Sequence, residues 1–122
     1  MRALRAAAVL ILAATFSLAH AEIEYYKLTP NIAASAATRG DELFGEMVTN
    51  LPPSNVVNGP QSVALRIYGS CSSRQYVKQG LMLFTGKWRS GHAMGGLDSD
   101  NITRKVMPGT PIATLFDREC GT

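Results

Sequence analysis

Hydrophobic and polar residues alternate most cleanly in SVALRIYG, where Val63, Leu65 and Ile67 share one face and Ala64, Arg66 and Tyr68 the other. A period of two is that of a half-buried strand. After Gly69-Ser70-Cys71-Ser72-Ser73, the stretch RQYVKQGLMLFTGKW reads as a long second strand with Gly80 at a bulge, and the two are expected to form an antiparallel hairpin. ITRKVMPG alternates once more, with Ile102, Arg104 and Val106 set against Thr103, Lys105 and Met107, and predicts a further strand. In TPIATLFDREC the period lengthens. Thr110 suits an N-cap, Pro111 takes the first helical position, where its missing N–H costs nothing, and Ile112, Leu115, Phe116 and Glu119 or Cys120 make one stripe. This predicts a short terminal helix packed on the sheet.

The front of the chain is less regular. EIEYYKL, Glu22 to Leu28, favours a strand that Pro30 stops. NIAASAATRG is Ala-rich with little periodicity and reads as loop or frayed helix. GDELFGEMVTN offers Asp41 as an N-cap and Leu43, Phe44, Met47 and Val48 at helical spacing, although Gly45 weakens a helix and a strand is the rival. LPPSNVVNGP, with its prolines and the Asn58-Gly59 turn signal, is a loop. RSGHAMGGLDSDN, from Arg89 to Asn101, is Gly-rich and reads as an exposed mobile loop.

The first residues change the picture of charge and location. Arg2 and Arg5 precede an apolar run from Ala6 to about Phe16 and small residues ending in Ala19-His20-Ala21, the order of a secretory signal peptide whose core is too short to span a bilayer. Residues 1–21 are expected to be removed after Ala21, leaving residues 22–122 as a single small exported domain with no transmembrane segment, periplasmic or secreted. Removing Arg2 and Arg5 takes the 12 Lys+Arg to 10 against 9 Asp+Glu, so the formal charge falls from +3 to +1. Nucleic-acid binding, which needs a concentrated basic face, is not expected.

The two cysteines, Cys71 and Cys120, enter an oxidising compartment in this reading, where a pair is most simply a structural disulfide. Closing so long a loop is worth roughly 4 kcal/mol in the chain-entropy model. The bond would staple the terminal helix to the central hairpin. The fold class expected is therefore α+β: a mainly antiparallel β-sheet with a short C-terminal helix held by one disulfide.

The order Tyr68-x-x-Cys71-x-x-Arg74-x-Tyr76, a long strand, a Gly-rich loop, then Met107-Pro108-Gly109-Thr110-Pro111 and a helix ending in Cys120 resembles the surface-adhesin protein E family of small exported bacterial proteins, from Val63 to Cys120. The resemblance implies an antiparallel sheet with one or two helices, a Cys–Cys staple and, from the founding member, binding to host extracellular-matrix proteins. Periplasmic lysozyme inhibitors of the small β-barrel type, which also run from Tyr-x-x-Cys into strands and finish near a cysteine, are the alternative resemblance.

Candidate chemistry is sparse. No paired-carboxylate, H-E-x-x-H or phosphate-loop pattern occurs, and no enzyme activity and no cofactor are expected. No acidic residue lies between Glu46 and Asp98, while Arg66, Arg74, Lys78, Lys87 and Arg89 do, so the hairpin is expected to present local positive charge suited to a protein or an anionic polysaccharide. Trp and Arg dominate interface hot spots, which singles out Arg74, Lys87, Trp88, Arg89 and His92 as partner-binding residues. His92-x-Met94 is compatible with a soft Cu(I) site, a second alternative, but two ligands do not make one. Arg39-Gly40-Asp41 matches a tripeptide that integrins read, and its three common residues also meet by chance. The function expected is a non-enzymatic exported binding domain; the alternatives are inhibition of a cell-wall hydrolase such as lysozyme, or periplasmic copper binding.

Overall fold

The computed structural model describes residues 24–53 and 56–121; the segment expected to be a signal peptide and its expected cleavage point lie outside the described residues. Seven strands and one helix follow in order: β1 Tyr26–Thr29, β2 Ile32–Arg39, β3 Glu42–Asn50, β4 Ser62–Ser70, β5 Gln75–Phe84, β6 Ala93–Asp98, β7 Arg104–Lys105 and α1 Pro111–Cys120. Six strands form an antiparallel meander in chain order, and the short β7 pairs with the start of β5 beside β6. The α+β class is as the sequence predicts.

The central hairpin forms as expected, with Leu65 opposite Leu81 and Tyr68 opposite Val77. Its ladder skips one residue beside Gly80, where Arg66 faces Gly80 but Ile67 faces Lys78. The extra residue adds twist to β5.

One expectation for the front half is overturned, and one left open between helix and strand resolves to the strand. The Ala-rich stretch taken as loop or frayed helix is β2, and the segment with helical spacing, Asp41 as its cap, is β3; the two pair along their whole length, Ile32 to Thr49 through Arg39 to Glu42. Local propensity loses here because both strands are flanked by partners and buried beneath the helix. Arg39-Gly40-Asp41 is the turn between them, with Gly40 left-handed at φ 61°.

The Gly-rich stretch after Arg89 is likewise more regular than a loop. Its residues Ala93–Asp98 form β6, the outer strand beside β5, with all six side chains exposed. Gly96 makes that pairing close: a Cβ there would overlap the Leu81 carbonyl oxygen. The strand expected in ITRKVMPG shrinks to the two residues of β7.

Helix α1 is capped as predicted, Thr110 Oγ1 accepting the Ala113 N–H at 3.1 Å and Pro111 standing at the first position. Leu115 and Phe116 are fully buried, and they share a core with Ala34, Leu43, Met47 and Ile67 from three strands. Small residues form the seat. A Cβ on Gly45 would stand 3.3 Å from Leu115, and one on Gly69 2.6 Å from the Phe116 ring. Burying side chains of this size is worth about 1.5–3 kcal/mol each. The Cys71–Cys120 disulfide, Cα–Cα 5.5 Å, joins the last turn of α1 to the end of the central hairpin. Tyr26 adds a second tie: its hydroxyl donates to Glu119 Oε2 at 2.8 Å, and the Arg118 guanidinium lies 3.5 Å from its ring centre.

Candidate binding surface

Helix α1 covers one face of the sheet; alternation sends Glu46, Val48, Ala64, Arg66, Met82 and Phe84 to the other. There Val48, Ala64 and Phe84 form a second, smaller core. It is covered by the β5–β6 connection, residues 85–92, which folds back over the sheet.

The connection is closed by its own bonds. Gly86 N–H donates to the Ser90 carbonyl at 3.0 Å, Ser90 N–H to that of Lys87 at 3.1 Å, and Thr85 N–H to that of His92 at 3.0 Å. Within it Trp88 and Arg89, neither of them glycine, are consecutive left-handed residues at φ 55° and 63°. Such backbone costs on the order of 1–3 kcal/mol per residue and persists only where the surroundings fix it. Two buried side chains from neighbouring strands do so. Asn50 Oδ1 accepts the Trp88 N–H at 2.8 Å, and Ser62 Oγ accepts the Arg89 N–H at 3.0 Å while donating to the Gly86 carbonyl at 2.6 Å. Asn50 and Ser62 face each other across the β3–β4 pair, so one cross-strand position clamps both strained residues.

The clamp aims the two side chains in different directions. Trp88, 38% exposed, stands beside Tyr25, 39% exposed, over a floor of Ala33 and Val48. With Lys27, whose ammonium lies 5.1 Å from the Trp88 ring centre, these residues line a recess of about 280 Å³. Arg89 lies against the Phe84 ring at 5.3 Å and pairs with Glu46, Nε to Oε1 3.3 Å. Glu46 Oε1 also accepts the Tyr25 hydroxyl. Burial, chiefly, and that bond to a carboxylate push the Tyr25 hydroxyl up to about 12.

Beyond Glu46 the face continues as a shallow trough. Two depressions, about 410 and 360 Å³, share Glu46, Arg66, Gln79 and Arg89. The tilted Phe44–Tyr68 pair, ring centres 5.1 Å apart, lies at its far side.

Of the residues singled out in the sequence, the structure brings Lys87, Trp88, Arg89 and His92 into this one connection. Arg74 lies at the other end of β5, whose ten residues at ~3.3 Å each span roughly 30 Å. It too is left-handed, at φ 55°, and pairs with Asp117 at 2.6 Å while lying 5.6 Å from the Phe116 ring centre. Arg74 thus ties the hairpin turn to α1. The acid-free stretch of sequence is not acid-free in space: Asp117 reaches Arg74, Glu46 reaches Arg89, and Asp100 faces Lys78 as well as its partner Arg104. The His92 N–H donates to Thr85 Oγ1 at 2.9 Å. Among the described residues no three His, Cys, Asp or Glu side chains gather as a metal site would require. Asp41 of the Arg39-Gly40-Asp41 turn accepts from Ser70 Oγ at 2.5 Å and from the Ser72 N–H and Oγ at 2.7 and 3.0 Å, which hold its carboxyl below the usual range.

Tyr25, Lys27, Asn50 and Ser62 belong to the surface but carry no sequence signal for it. They became neighbours only when β1 and β3 joined the sheet.

No family model matches the chain, and no curated protein does either. Among solved structures it is similar to protein E of Haemophilus influenzae in a second crystal form, with TM-score 0.66 and 15% identity over 79% of this chain and 86% of that one. Protein E from non-typeable Haemophilus influenzae gives TM-score 0.64 and 14% identity over 79% and 74%. At this identity the likeness establishes a shared fold. It extends the resemblance seen from Val63 onward to the larger part of the chain.

Proposed function

We propose that the protein is a non-enzymatic, exported binding domain that holds another macromolecule on the sheet face opposite α1, through Trp88, Arg89 and their neighbours. The carrying observation is the pair of consecutive left-handed residues clamped by buried Asn50 and Ser62. Strained backbone of this kind clusters at functional sites. Trp88 and Arg89 are also the residue types that anchor interfaces. The fold shared with protein E and the adhesin-like resemblance of the back half support a binding role, and the disulfide fits an oxidising location, periplasmic or secreted. No observation favours the hydrolase-inhibitor or copper readings over this one.

Pull-down from envelope and extracellular-matrix extracts, together with anionic polysaccharides, tests the reading. Trp88→Ala and Arg89→Ala are each expected to lose most of the captured partner. Unchanged capture by both variants would remove this surface from consideration.

A further inference from the structure

The recess beside Trp88 carries a more specific statement about the partner. Its walls are two half-exposed aromatic rings, Tyr25 and Trp88, and its floor is Ala33 and Val48, 7% and 2% exposed. The floor side chains offer no hydrogen-bonding group. A sugar ring seated there would strand its hydroxyls against methyl groups, a loss that buried polar groups do not recover. An apolar side chain loses nothing, and about 280 Å³ accommodates one large residue.

The rim is cationic. Lys27 stands over the Trp88 ring, and Arg89, paired with Glu46, shares the neighbouring depression with Tyr25. Lys27 and Lys87 have no ion-pair partner among the described residues, and Glu46 is engaged by Arg89 and by the Tyr25 hydroxyl. Arg66, across the sheet from Glu46, likewise has no ion pair among the described residues. Lys27 is therefore left to meet a carboxylate that a partner brings.

We infer that the partner is a protein, and that it inserts one large apolar side chain, flanked within a residue or two by aspartate or glutamate, between Tyr25 and Trp88. This rests on the reading of the Trp88–Arg89 surface as a binding site and narrows it from macromolecule to acidic, apolar-anchored polypeptide. The apolar side chain fills a desolvated hot spot, and the carboxylates meet Lys27 and Arg89 at its edge, where they set orientation and association rate.

The test is panning of a displayed random-peptide library on the immobilised protein, run beside heparin and alginate as anionic polysaccharides without an apolar anchor. Enriched peptides are expected to share a Leu, Ile, Met or aromatic residue next to Asp or Glu. Trp88 is the chain's one tryptophan, so a synthetic copy of such a peptide should change its fluorescence on titration. Tyr25→Ala and Trp88→Ala, both at exposed walls, should each weaken that peptide at least about tenfold. Lys27→Glu should weaken it while removing most of its salt dependence. Three results overturn the inference: panning that yields no such motif; peptides whose affinity ignores both wall variants; or heparin or alginate binding that Tyr25→Ala spares and Arg89→Ala abolishes. The last leaves the binding surface standing and refutes only its protein partner, whereas capture indifferent to both Trp88→Ala and Arg89→Ala refutes the surface itself.

Discussion

Asn50 Oδ1 accepts the backbone N–H of Trp88 at 2.8 Å, across 38 positions of sequence, and is itself almost wholly buried. The strained tip of the β5–β6 connection is therefore governed from β3. Asn50→Ala should cost about 1–3 kcal/mol, since it removes the partner of the Trp88 N–H and leaves a gap in a buried position. Urea unfolding checks the magnitude. The more telling readout is Trp88 emission in the folded protein, which should shift to the red as the ring leaves its place beside Tyr25. Ser62→Ala should act in the same direction, because that hydroxyl both accepts from Arg89 and donates to Gly86.

The disulfide ties α1 to the turn of the central hairpin. Cys71 and Cys120 are separated by 49 positions, and opening a loop of that size removes up to ~4 kcal/mol. Paired Cys71→Ser and Cys120→Ser changes should lower the melting temperature and expose the last turn of α1 to protease first. Leu115 and Phe116 would still favour the docked helix. The proposed binding surface on the opposite face should then survive in whatever fraction stays folded.

The elements legible in the sequence are those with one wet face. β4 alternates in sequence around an exposed Arg66, β5 follows it as the second arm of a hairpin, and α1 carries its apolar stripe between a proline start and a glycine end. β2 and β3 were illegible because both faces of the sheet are covered at that point, by α1 on one side and by residues 85–92 on the other. Ala33 and Ala34 are both buried, as are Met47 and Val48, so the period of two disappears. The two pairs of apolar residues in β3, Leu43 with Phe44 and Met47 with Val48, then fall four apart and imitate a helix. Trp88 and Arg89 were found by residue type. Their clamp was not, because Asn50 and Ser62 acquire meaning only once two strands are in register.

Gly69 shows how closely α1 is seated. An added Cβ would lie 2.6 Å from the Phe116 ring and 2.8 Å from the Gln75 carbonyl oxygen. Gly69→Ala should cost about 1–3 kcal/mol by overpacking, measured as a lower urea midpoint at unchanged slope. Gly45→Ala meets side chains alone, Leu115 at 3.3 Å, Ile67 at 3.4 Å and Ala36 at 3.5 Å, and should be the milder of the two. Equal losses would contradict the packing described.

Three tyrosine hydroxyls donate to carboxylates, Tyr25 to Glu46, Tyr26 to Glu119 and Tyr68 to Glu42, and each is held above its ordinary value of 10.0. For Tyr25 and Tyr26 burial is the larger cause; for Tyr68 it is the bond to Glu42. The folded chain keeps these protons after the unfolded chain has begun to lose them. Between 10.0 and the folded value, about 12 for Tyr25, the unfolded state binds fewer protons and stability must fall as pH rises. The contribution is complete below pH 10.0 and disappears as the folded hydroxyls ionise. Tyr26 joins β1 to α1, so Tyr26→Phe should lower stability at neutral pH, where its bond to Glu119 is lost, and flatten the alkaline decline, because phenylalanine does not titrate. Urea unfolding at stepped alkaline pH measures both effects. Tyrosinate absorbance followed on the folded protein gives an independent check: full ionisation of all the tyrosines near 10.0 would falsify the three pairings, whereas a delayed fraction that shrinks in Tyr26→Phe supports them.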